Sequence, residues 1–308
     1  MASGLERRGG QPPPVRAIIK LTYRCNARCL FCRADDYRGK VADLPAADVV
    51  RRIQLAREQG AEMVLFSGGE PTLRSDLPLL ARAASSLGLK WGLITNARRL
   101  AYKDYREALL RLGMCYVHTS LHGAQAGTHD EIVQCPAFAQ VLEAIQGIAA
   151  AGIELHVNTV ITRLNLPELC GISDLLAPLG PVSHKLCLME PRGSFLLHLD
   201  RLLVNPEVAA QAALYTLERA RRLHQGVQTV LEGFPLCQIG PASDAVSGLL
   251  AHNILWMSEA FEEAFYPTDL GERVFPDVCE GCTLRASCPG VYVWYAQRFG
   301  GQGLEPRP

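Results

Sequence analysis

Three cysteines near the start of the chain, Cys25, Cys29 and Cys32, have the spacing C-x3-C-x2-C. They follow a largely apolar run, 17–21, which is typical of a buried strand. Three thiolates can hold a four-iron cluster and leave one iron without a protein ligand, whereas four cysteines saturate such a cluster. The spacing therefore predicts an iron that is open to a small molecule. A zinc loop or a chance grouping of thiols is the alternative, because zinc sites also use closely spaced cysteines.

A second motif, Ser67-Gly68-Gly69-Glu70-Pro71, follows the next apolar run. Two glycines let the backbone approach a ligand closely. Glu70 offers a carboxylate, which is a suitable acceptor for an ammonium group, and Pro71 fixes the exit of the loop. Alone such a string is a turn. Placed one βα unit after a loop of three cysteines, it indicates a ligand that carries an ammonium group.

A second group of cysteines lies near the other end of the chain. Cys279, Cys282 and Cys288 have the spacing C-x2-C-x5-C, and Cys237 lies about forty residues upstream. Four thiolates would fully ligate one further iron–sulfur cluster, and a zinc knuckle is the alternative. If Cys237 is not a ligand, this cluster would also have an open iron.

Other cysteines and histidines have less specific surroundings. Cys115, Cys170 and Cys187 lie in apolar stretches and are predicted to pack in the core, where a free cysteine behaves as a small hydrophobic residue. Cys135 is predicted to pack in a loop. His122 follows a predicted strand, and two interpretations stay open: contact with a ligand, or a hydrogen-bonded loop histidine.

The elements that must position these residues alternate along the chain. Strands are predicted at 15–21, 63–66, 90–95, 116–121, 154–161 and 183–189, and helices at 46–59, 76–87, 104–112, 137–151 and 166–177. Strands separated by helices of this length imply right-handed βαβ units and a parallel sheet. Six units are too few for a closed eight-unit barrel, so the prediction is an α/β fold, a partial (β/α)6 TIM-like barrel. Its site would lie at the carboxyl ends of the strands, where the polar motifs fall.

The chain is divided into four predicted regions. They are a flexible leader (1–14), the partial barrel (15–205), a small C-terminal extension with the second cysteine group (206–299) and a flexible tail (300–308). Within the last part of the barrel region, the apolar stretch 194–204 is interpreted as a lid or a docking surface. A helix at 207–224 and a short strand at 227–231 are predicted in the extension.

Composition narrows the classes of function. The chain has 308 residues, is 48% hydrophobic and has a formal net charge of zero, so no basic field favours a nucleic acid as partner. No apolar run approaches the roughly 18 residues of a membrane span, and a membrane partner is not expected. Eleven cysteines without a secretion signal indicate a reducing compartment, so a cytoplasmic location is expected.

The C-x3-C-x2-C loop followed by Gly-Gly-Glu-Pro, on βα repeats of this length, resembles the radical S-adenosylmethionine enzymes over residues 15–190. The resemblance implies that Cys25, Cys29 and Cys32 hold a [4Fe–4S] cluster whose open iron binds S-adenosylmethionine. It also implies a set of cofactor-binding residues. Phe31 would lie near the adenine, the loop of Gly68, Gly69, Glu70 and Pro71 would receive the methionine ammonium, and the carboxylate and ribose would be held by Thr95, Asn96, Ser120, Asn158 and Arg163.

The resemblance also implies the chemistry and the partners. Members of this family cleave S-adenosylmethionine reductively to a 5′-deoxyadenosyl radical, which abstracts hydrogen from a substrate, here a peptide or a small metabolite. An external low-potential donor of the flavodoxin or ferredoxin type would supply the electron. The C-terminal cysteines resemble a shortened SPASM or twitch extension with one auxiliary [4Fe–4S] cluster. A two-cluster electron carrier without enzymatic activity and a zinc-binding scaffold are the alternatives.

Overall fold

The computed structural model describes residues 15–245, 254–257, 266–267 and 273–308. The predicted leader, 1–14, lies outside the described residues. The strands are β1 (Val15–Thr22), β2 (Ala61–Gly68), β3 (Lys90–Ile94), β4 (Met114–Ser120), β5 (Glu154–Ile161), β6 (Val182–Leu188), β7 (Val227–Glu232), β8 (Ile254–Met257), β9 (Tyr266–Pro267), β10 (Arg273–Val274) and β11 (Val291–Tyr292).

In the described parts of the chain, β1 to β9 form one sheet in the order β7-β6-β5-β4-β3-β2-β1-β8-β9. Neighbouring strands from β7 through to β8 run parallel, and only the β8–β9 pair is antiparallel. The predicted α/β fold, a partial barrel of βα units, is confirmed, and all six predicted barrel strands are present. The sheet is also wider than six strands, because β7 and β8 extend it at its two sides.

The five helices predicted between the first six strands are present, as is the one predicted at 207–224. The described helices are α1 (Ala46–Glu58), α2 (Leu77–Ser86), α3 (Lys103–Arg111), α4 (Ala126–Val133), α5 (Phe138–Ala150), α6 (Leu169–Leu176), α7 (Leu199–Leu202), α8 (Pro206–Leu223), α9 (Leu236–Ile239) and α10 (Val293–Phe299). The sequence does not predict α4, α7, α9 and α10. Among the described helices, no single one has the length and apolarity to cross a membrane. One pair, α4 and α5, passes that test of length and composition together, with a bend of 101° between its members.

The two faces of the sheet differ in what covers them. Successive side chains of a strand point to opposite faces. Ile19 of β1 and Phe66 of β2 are fully buried against helical residues such as Ile53 of α1, and this outer face forms the main core. On the inner face, Ile18 of β1 and Tyr116 of β4 belong to a smaller apolar group. The inner face of β4 to β7 carries polar side chains, which could contact a polar ligand inside the curved sheet.

The C-terminal region packs onto the same sheet. β7 pairs with β6, and the apolar faces of α8, β6 and β7 form a second core around Leu186, Leu217 and Leu231. The sheet therefore continues across residue 205, where the sequence predicts the end of the barrel region. Further on, β10 and β11 form a short antiparallel hairpin beside the second cysteine group.

Candidate active site and second cysteine group

The loop of three cysteines leaves the carboxyl end of β1 and is held by two other segments. Its Leu30 is buried, and the Leu30 backbone N–H donates to the Ile132 carbonyl at the end of α4, at 2.9 Å. Ser194 donates to the Cys32 carbonyl twice, from its backbone N–H at 3.2 Å and from its hydroxyl at 3.0 Å. Cys25, Cys29 and Cys32 are all free and half-buried. The loop thus has a fixed backbone with three free thiols.

The stretch 194–204, interpreted from the sequence as a lid or docking surface, forms a 3-10 turn, Gly193–His198, followed by α7. Gly193 adopts φ +58°, and a Cβ there would overlap the Cys32 carbonyl oxygen and lie 2.8 Å from Arg33 Cα. Phe195 and Leu202 are buried with Leu30 in one apolar cluster. The stretch therefore packs against the cysteine loop at Leu30, Cys32 and Arg33.

The thiols lie in a partly desolvated setting with two donors aimed at them. Burial raises the pKa of Cys25, and more strongly that of Cys29, because the thiolate is the form that burial disfavours. Asn96 Nδ2 donates to Cys25 Sγ at 3.6 Å, and an Arg38 guanidinium nitrogen donates to Cys32 Sγ at 3.9 Å. Cysteines must lose their protons to bind metal, and such donors stabilise the resulting charge on sulfur.

The Gly-Gly-Glu-Pro loop lies directly against the exit of β1. The Gly69 N–H donates to the Thr22 carbonyl at 2.6 Å, and the Glu70 N–H donates to the Arg24 carbonyl at 2.9 Å. A Cβ on Gly69 would overlap the Arg24 carbonyl oxygen and lie 2.7 Å from that of Tyr23. The glycines, expected to admit a ligand, are thus also required by the chain's own backbone, which leads into Cys25.

Glu70 organises the neighbouring strand ends. It is fully buried, and its carboxylate accepts four hydrogen bonds, from the backbone N–H and hydroxyl of Thr72, the hydroxyl of Thr95 and the backbone N–H of Asn96. Burial raises the pKa of Glu70, while these four donors act in the opposite direction. The structure therefore brings Glu70, Thr95 and Asn96 together at the ends of β2 and β3, and Asn96 extends the network to the cysteine loop.

Ser120, the last residue of β4, and Asn158, within β5, lie side by side, and their Cα atoms are register partners. Asn158 Oδ1 is buried and has no hydrogen-bond partner, a rare condition for a buried acceptor. Phe31 lies next to Cys32 and contacts the ring of His122 edge-on, at 4.9 Å between centroids. An unpaired acceptor and an aromatic side chain thus lie where the sequence predicts cofactor contacts.

Arg163, another predicted cofactor residue, makes two contacts with the stretch that contains α7. Its guanidinium donates to the Asp200 carbonyl at 2.9 Å, and its backbone N–H donates to the Leu202 carbonyl at 2.9 Å. Arg163 thus holds α7 in place. Asp200 and Leu202 are far from Arg163 in the sequence, so no local sequence pattern predicts these contacts. Pro71 is buried at the start of a 3-10 turn, Pro71–Leu73, as its position in the loop predicts.

His122 is a buried, hydrogen-bonded histidine, and its ring also contacts Phe31, so both interpretations left by the sequence stay open. Its Nδ1 accepts from the Val160 backbone N–H at 3.3 Å, and the His122 backbone N–H donates to His129 Nδ1 at 3.0 Å. Burial lowers the pKa of His122 well below its usual value and that of His129 to about 4. Both rings are therefore neutral at physiological pH.

Sequence reasoning missed a polar group on the inner face of β6 and β7. Lys185 Nζ donates to Glu232 Oε2 at 2.9 Å, and Cys187 Sγ lies 3.5 Å from Glu232 Oε1. The sequence predicts Cys187 in the apolar core instead. The alternation of β6 could have indicated otherwise, because Leu186 and Leu188 are buried on the opposite face.

The second cysteine group is brought together by the fold. Cys237, Cys279, Cys282 and Cys288 line one cavity, whose other walls are mainly apolar. The backbone N–H groups of Leu236 and Gly290 each donate to Cys288 Sγ at 3.4 Å. Cys237 lies on α9 and joins three cysteines that are more than forty residues away in sequence.

The tail, predicted to be flexible, lies along this cavity. Leu304 and Pro306 form part of its wall, and the Thr283 N–H donates to the Arg307 carbonyl at 2.8 Å. Among the described residues, no three His, Cys, Asp or Glu side chains converge closely enough to enclose a single metal ion. A four-iron cluster spreads its thiolate ligands over different irons, so its ligands lie farther apart than those of one ion.

A comparison with protein families agrees with this arrangement of the cysteine loop and the Gly-Gly-Glu-Pro loop. The family model of the Radical SAM superfamily matches residues 19–176, about half of the chain, and the chain belongs to this superfamily. The family implies a [4Fe–4S] cluster and S-adenosylmethionine as cofactors. The residues fit them, with three thiols on one loop, donors directed at two of the sulfurs, and an unpaired buried acceptor on Asn158.

Several relatives are similar in sequence. The AdoMet-dependent heme synthase of Oleidesulfovibrio alaskensis is 33% identical over 187 residues, which cover 59% of this chain and 47% of the relative. The PqqA peptide cyclase of Methylobacterium nodulans is 33% identical over 171 residues, which cover 55% of this chain and 45% of the relative. The chain spans about half the length of the curated relatives it matches.

The fold is similar to solved structures. Streptococcus suis SuiB bound to S-adenosylmethionine superposes with a TM-score of 0.68 and 18% identity, covering 90% of this chain and 72% of SuiB. SuiB bound to its precursor peptide SuiA gives a TM-score of 0.64 and 18% identity, covering 80% of this chain and 57% of that chain. At this identity the likeness concerns the fold.

Proposed function

We propose that this chain is a radical S-adenosylmethionine enzyme that abstracts hydrogen from a substrate. Cys25, Cys29 and Cys32 hold a [4Fe–4S] cluster with one open iron in this proposal. When bound, the cluster supplies an electron to S-adenosylmethionine, whose carbon–sulfur bond breaks to give methionine and a 5′-deoxyadenosyl radical. The remaining work of the protein is to bind, orient and exclude water.

The observation that carries the proposal is the network from Glu70 to Cys25. Glu70 accepts from the Asn96 N–H at 2.8 Å, and the Asn96 side chain donates to Cys25 Sγ at 3.6 Å. This network fixes the Gly-Gly-Glu-Pro loop beside the cysteine loop. A methionine ammonium bound at the first loop and a cluster bound at the second would then be neighbours. A carrier of electrons or a zinc scaffold has no need of such a pairing.

Other residues complete the cofactor site. Asn158 Oδ1 is a buried acceptor without a partner, which suits a ribose hydroxyl, and Ser120 beside it is a further hydroxyl contact. Phe31 offers an apolar face to the adenine. Arg163 is kept as a proposed contact for the carboxylate, because the Asp200 carbonyl accepts from only one nitrogen of its guanidinium.

A dry surrounding supports radical chemistry. Leu30, Val160, Met189, Phe195 and Leu202 form a buried apolar cluster against which Phe31 packs. Such a cluster excludes water from one side of the cysteine loop, and exclusion of water protects reactive species from side reactions.

We propose a second, auxiliary [4Fe–4S] cluster in the C-terminal extension, 206–299. The lining of one cavity by Cys237, Cys279, Cys282 and Cys288 supports a site in which all irons have protein ligands. A cluster of this kind relays electrons or supports the substrate pocket. The extension shares its first strand with the barrel sheet, so the two parts are proposed to work as one unit.

The substrate is proposed to be a peptide. PqqA peptide cyclase acts on a peptide by its name, and the fold is similar to SuiB bound to a precursor peptide. A small metabolite is the second candidate, supported by the similarity to an AdoMet-dependent heme synthase. The polar inner face around Lys185 and Glu232 offers charged groups to either substrate.

An external low-potential donor of the flavodoxin or ferredoxin class is the proposed source of electrons. We propose a cytoplasmic location, because all eleven cysteines are free and thiolate-bound clusters need a reducing compartment. Neither a nucleic acid nor a membrane is a proposed partner.

Anaerobic reconstitution with iron and sulfide tests the proposal. We expect a brown protein with about eight irons per chain, as two four-iron clusters require, that forms 5′-deoxyadenosine from S-adenosylmethionine with dithionite. Replacing Cys25, Cys29 and Cys32 by Ala should abolish that product and leave about four irons. Cys115→Ala, outside both groups, is the matched control and should retain both.

Three outcomes would contradict parts of this proposal. A colourless protein that contains zinc would refute both clusters. Cleavage of S-adenosylmethionine that survives the triple replacement would refute the assignment of the first cluster. A protein that keeps about eight irons when Cys237, Cys279, Cys282 and Cys288 are replaced by Ala would refute the second.

A further inference from the structure

A cleft of about 530 Å³ opens on the surface beside the cysteine loop. We call it the loop-side cleft, and its lining includes Arg28, Cys29, Arg38, Leu197, His198 and Arg201. Cys29 is one of the three proposed cluster ligands. The cleft therefore leads from the surface to the backbone that carries the cluster.

The rim of the loop-side cleft is cationic although the whole chain is neutral. Its lining contains three arginines, Arg28, Arg38 and Arg201, and one carboxylate, Asp35, whereas the formal net charge of the chain is zero. Arg28 is exposed and has no carboxylate partner among the described residues. Arg201 and Arg38 have partners, Glu131 at 2.7 Å and Asp35 at 3.3 Å, in ion pairs of partly exposed groups that salt and competing anions screen readily.

The rim also has an apolar anchor. Leu197 lines the cleft and is 79% exposed, and Leu196 beside it is 45% exposed. An exposed leucine among arginines is a combination that transient protein interfaces use, with apolar contact at the centre and charge around it. The charge favours a partner with an acidic surface, because complementary potentials steer the encounter.

Two residues that line the loop-side cleft contact the loop that would hold the cluster. One guanidinium nitrogen of Arg38 donates to Cys32 Sγ at 3.9 Å and another donates to the Ala27 carbonyl at 3.1 Å, while the side chain lines the cleft. Ser194, also in the lining, holds the Cys32 carbonyl. A protein docked in the loop-side cleft would thus lie against the same loop that holds the three thiols.

We propose that the loop-side cleft is the docking surface for an acidic electron-transfer protein that carries a low-potential flavin or iron–sulfur centre. The proposal rests on the proposed function and gives the electron donor a place. One electron leaves the reduced carrier and enters the cluster on the cysteine loop, with no bond made or broken in that step.

Binding of a purified flavodoxin to the reconstituted protein tests the site directly. Arg28→Glu and Arg201→Glu should each raise the Kd for flavodoxin about tenfold, and higher salt should weaken wild-type binding, since exposed charges are screened. Arg28→Lys keeps the charge and should bind like wild type. Arg82→Glu, a reversal of an exposed arginine on α2, is the matched control and should leave the Kd unchanged.

Rates of 5′-deoxyadenosine formation provide the second readout. With reduced flavodoxin at low concentration the Arg28→Glu rate should fall about tenfold, in step with the Kd, whereas with dithionite it should equal the wild-type rate. Circular dichroism and iron content verify that each variant is folded and loaded. These two arms separate weakened docking from damage to the cluster.

Equal flavodoxin affinity for wild type, Arg28→Glu and Arg201→Glu would overturn the docking proposal. So would binding of a nucleic acid at the cleft in preference to flavodoxin, detected by competition. If the wild-type protein forms no 5′-deoxyadenosine with dithionite, the proposed function fails instead, while the binding measurement still reports on the surface.

Discussion

Glu70 is the residue on which most of the candidate site converges. Its buried carboxylate accepts four hydrogen bonds from Thr72, Thr95 and Asn96, so each oxygen faces donors only. A carboxylate suits this setting, because it accepts at both oxygens and donates at neither. The same residue type at a surface position would have no such consequence.

Glu70→Gln should destabilise the protein and weaken binding of S-adenosylmethionine. The new NH₂ group must face a donor, which leaves buried groups unsatisfied and costs about 1–3 kcal/mol in the free energy of unfolding. Chemical denaturation measures this cost, and equilibrium dialysis measures the affinity. Glu62→Gln, an exposed change on β2, the strand that leads into the Glu70 loop, should alter neither. Equal stability of wild type and Glu70→Gln would show that the network contributes little.

His184 predicts how stability depends on pH. It is fully buried, with its ring nitrogens hydrogen-bonded to Thr159 and Ser173 at 3.0 and 2.9 Å, and burial lowers its pKa to about 4. A histidine whose pKa is lower in the folded than in the unfolded state makes its full contribution to stability at pH values above the unfolded-state pKa of about 6.5. That contribution decreases as the pH falls from about 6.5 towards 4, because the unfolded chain binds the proton first.

The expected loss between pH 7.5 and pH 5.5 is about 1 kcal/mol in the free energy of unfolding from this residue alone. Denaturation of wild type and His184→Gln at several pH values measures it. The variant starts from a lower stability and should lack this part of the pH dependence. If the free energy of unfolding of His184→Gln depends on pH as in the wild type, groups other than His184 cause the pH dependence.

At the scale of elements, the contact between the Gly-Gly-Glu-Pro loop and the exit of β1 decides where Cys25 lies. Gly69→Ala places a methyl group against the carbonyl oxygens of Tyr23 and Arg24, which are backbone atoms that have little room to move. We expect a loss of about 1–3 kcal/mol in stability, as for other overpacked sites, and a lower iron content after reconstitution. Unfolding curves and iron analysis measure the two effects.

Gly127→Ala in α4 is the matched control for that change. A Cβ on Gly127 would meet no atom within 4 Å outside its own helix turn, and in a helix Ala is the better residue. This variant should keep the iron content and unfold at the same or slightly higher denaturant concentration. Full iron loading of Gly69→Ala would indicate that the two loops adjust to each other without losing the site.

The sequence predicts elements well where short-range patterns determine them. Apolar runs separated by amphipathic stretches identify β1 to β6 and all the helices between them except α4, because burial on one face imposes those periods. The positions of Arg163 and Ser194 are not predictable in this way. Each acts through a backbone carbonyl far along the chain, at Asp200 and Cys32, and no local pattern encodes such a contact.

The same limit applies to which face a strand residue occupies. The apolar neighbours of Cys187 predict a place in the core, yet the pairing of Cys187 with Glu232 in the β6–β7 register puts it on the polar inner face. A short apolar strand fits either register until its partner is known, and a shift of one residue exchanges the faces. The pairing with β7 supplies that information.

At the scale of the whole molecule, the second cysteine group is joined to the sheet through Arg273. One guanidinium nitrogen of Arg273 donates to the carbonyls of Gly233, just after β7, and Gly290, just after Cys288, both at 3.2 Å. Its guanidinium also lies over the ring of Tyr292, at 3.8 Å from the centroid. These contacts connect the cavity of four thiols to the strand that bears Glu232. A structural change at the proposed auxiliary cluster would thus be transmitted to the inner face of the sheet near Glu232.

The tail closes that cavity, so its removal should affect one proposed cluster and spare the other. Deleting residues 304–308 removes Leu304 and Pro306 from the wall and the Arg307 carbonyl that accepts from Thr283. We expect iron to fall from about eight to about four per chain, because solvent reaches the exposed thiolates, while dithionite-driven cleavage of S-adenosylmethionine persists. Deleting only the exposed Pro308 is the control and should change neither quantity. Retention of about eight irons in the longer deletion would show that the tail is dispensable for the cluster, and loss of cleavage would show that the two sites depend on each other.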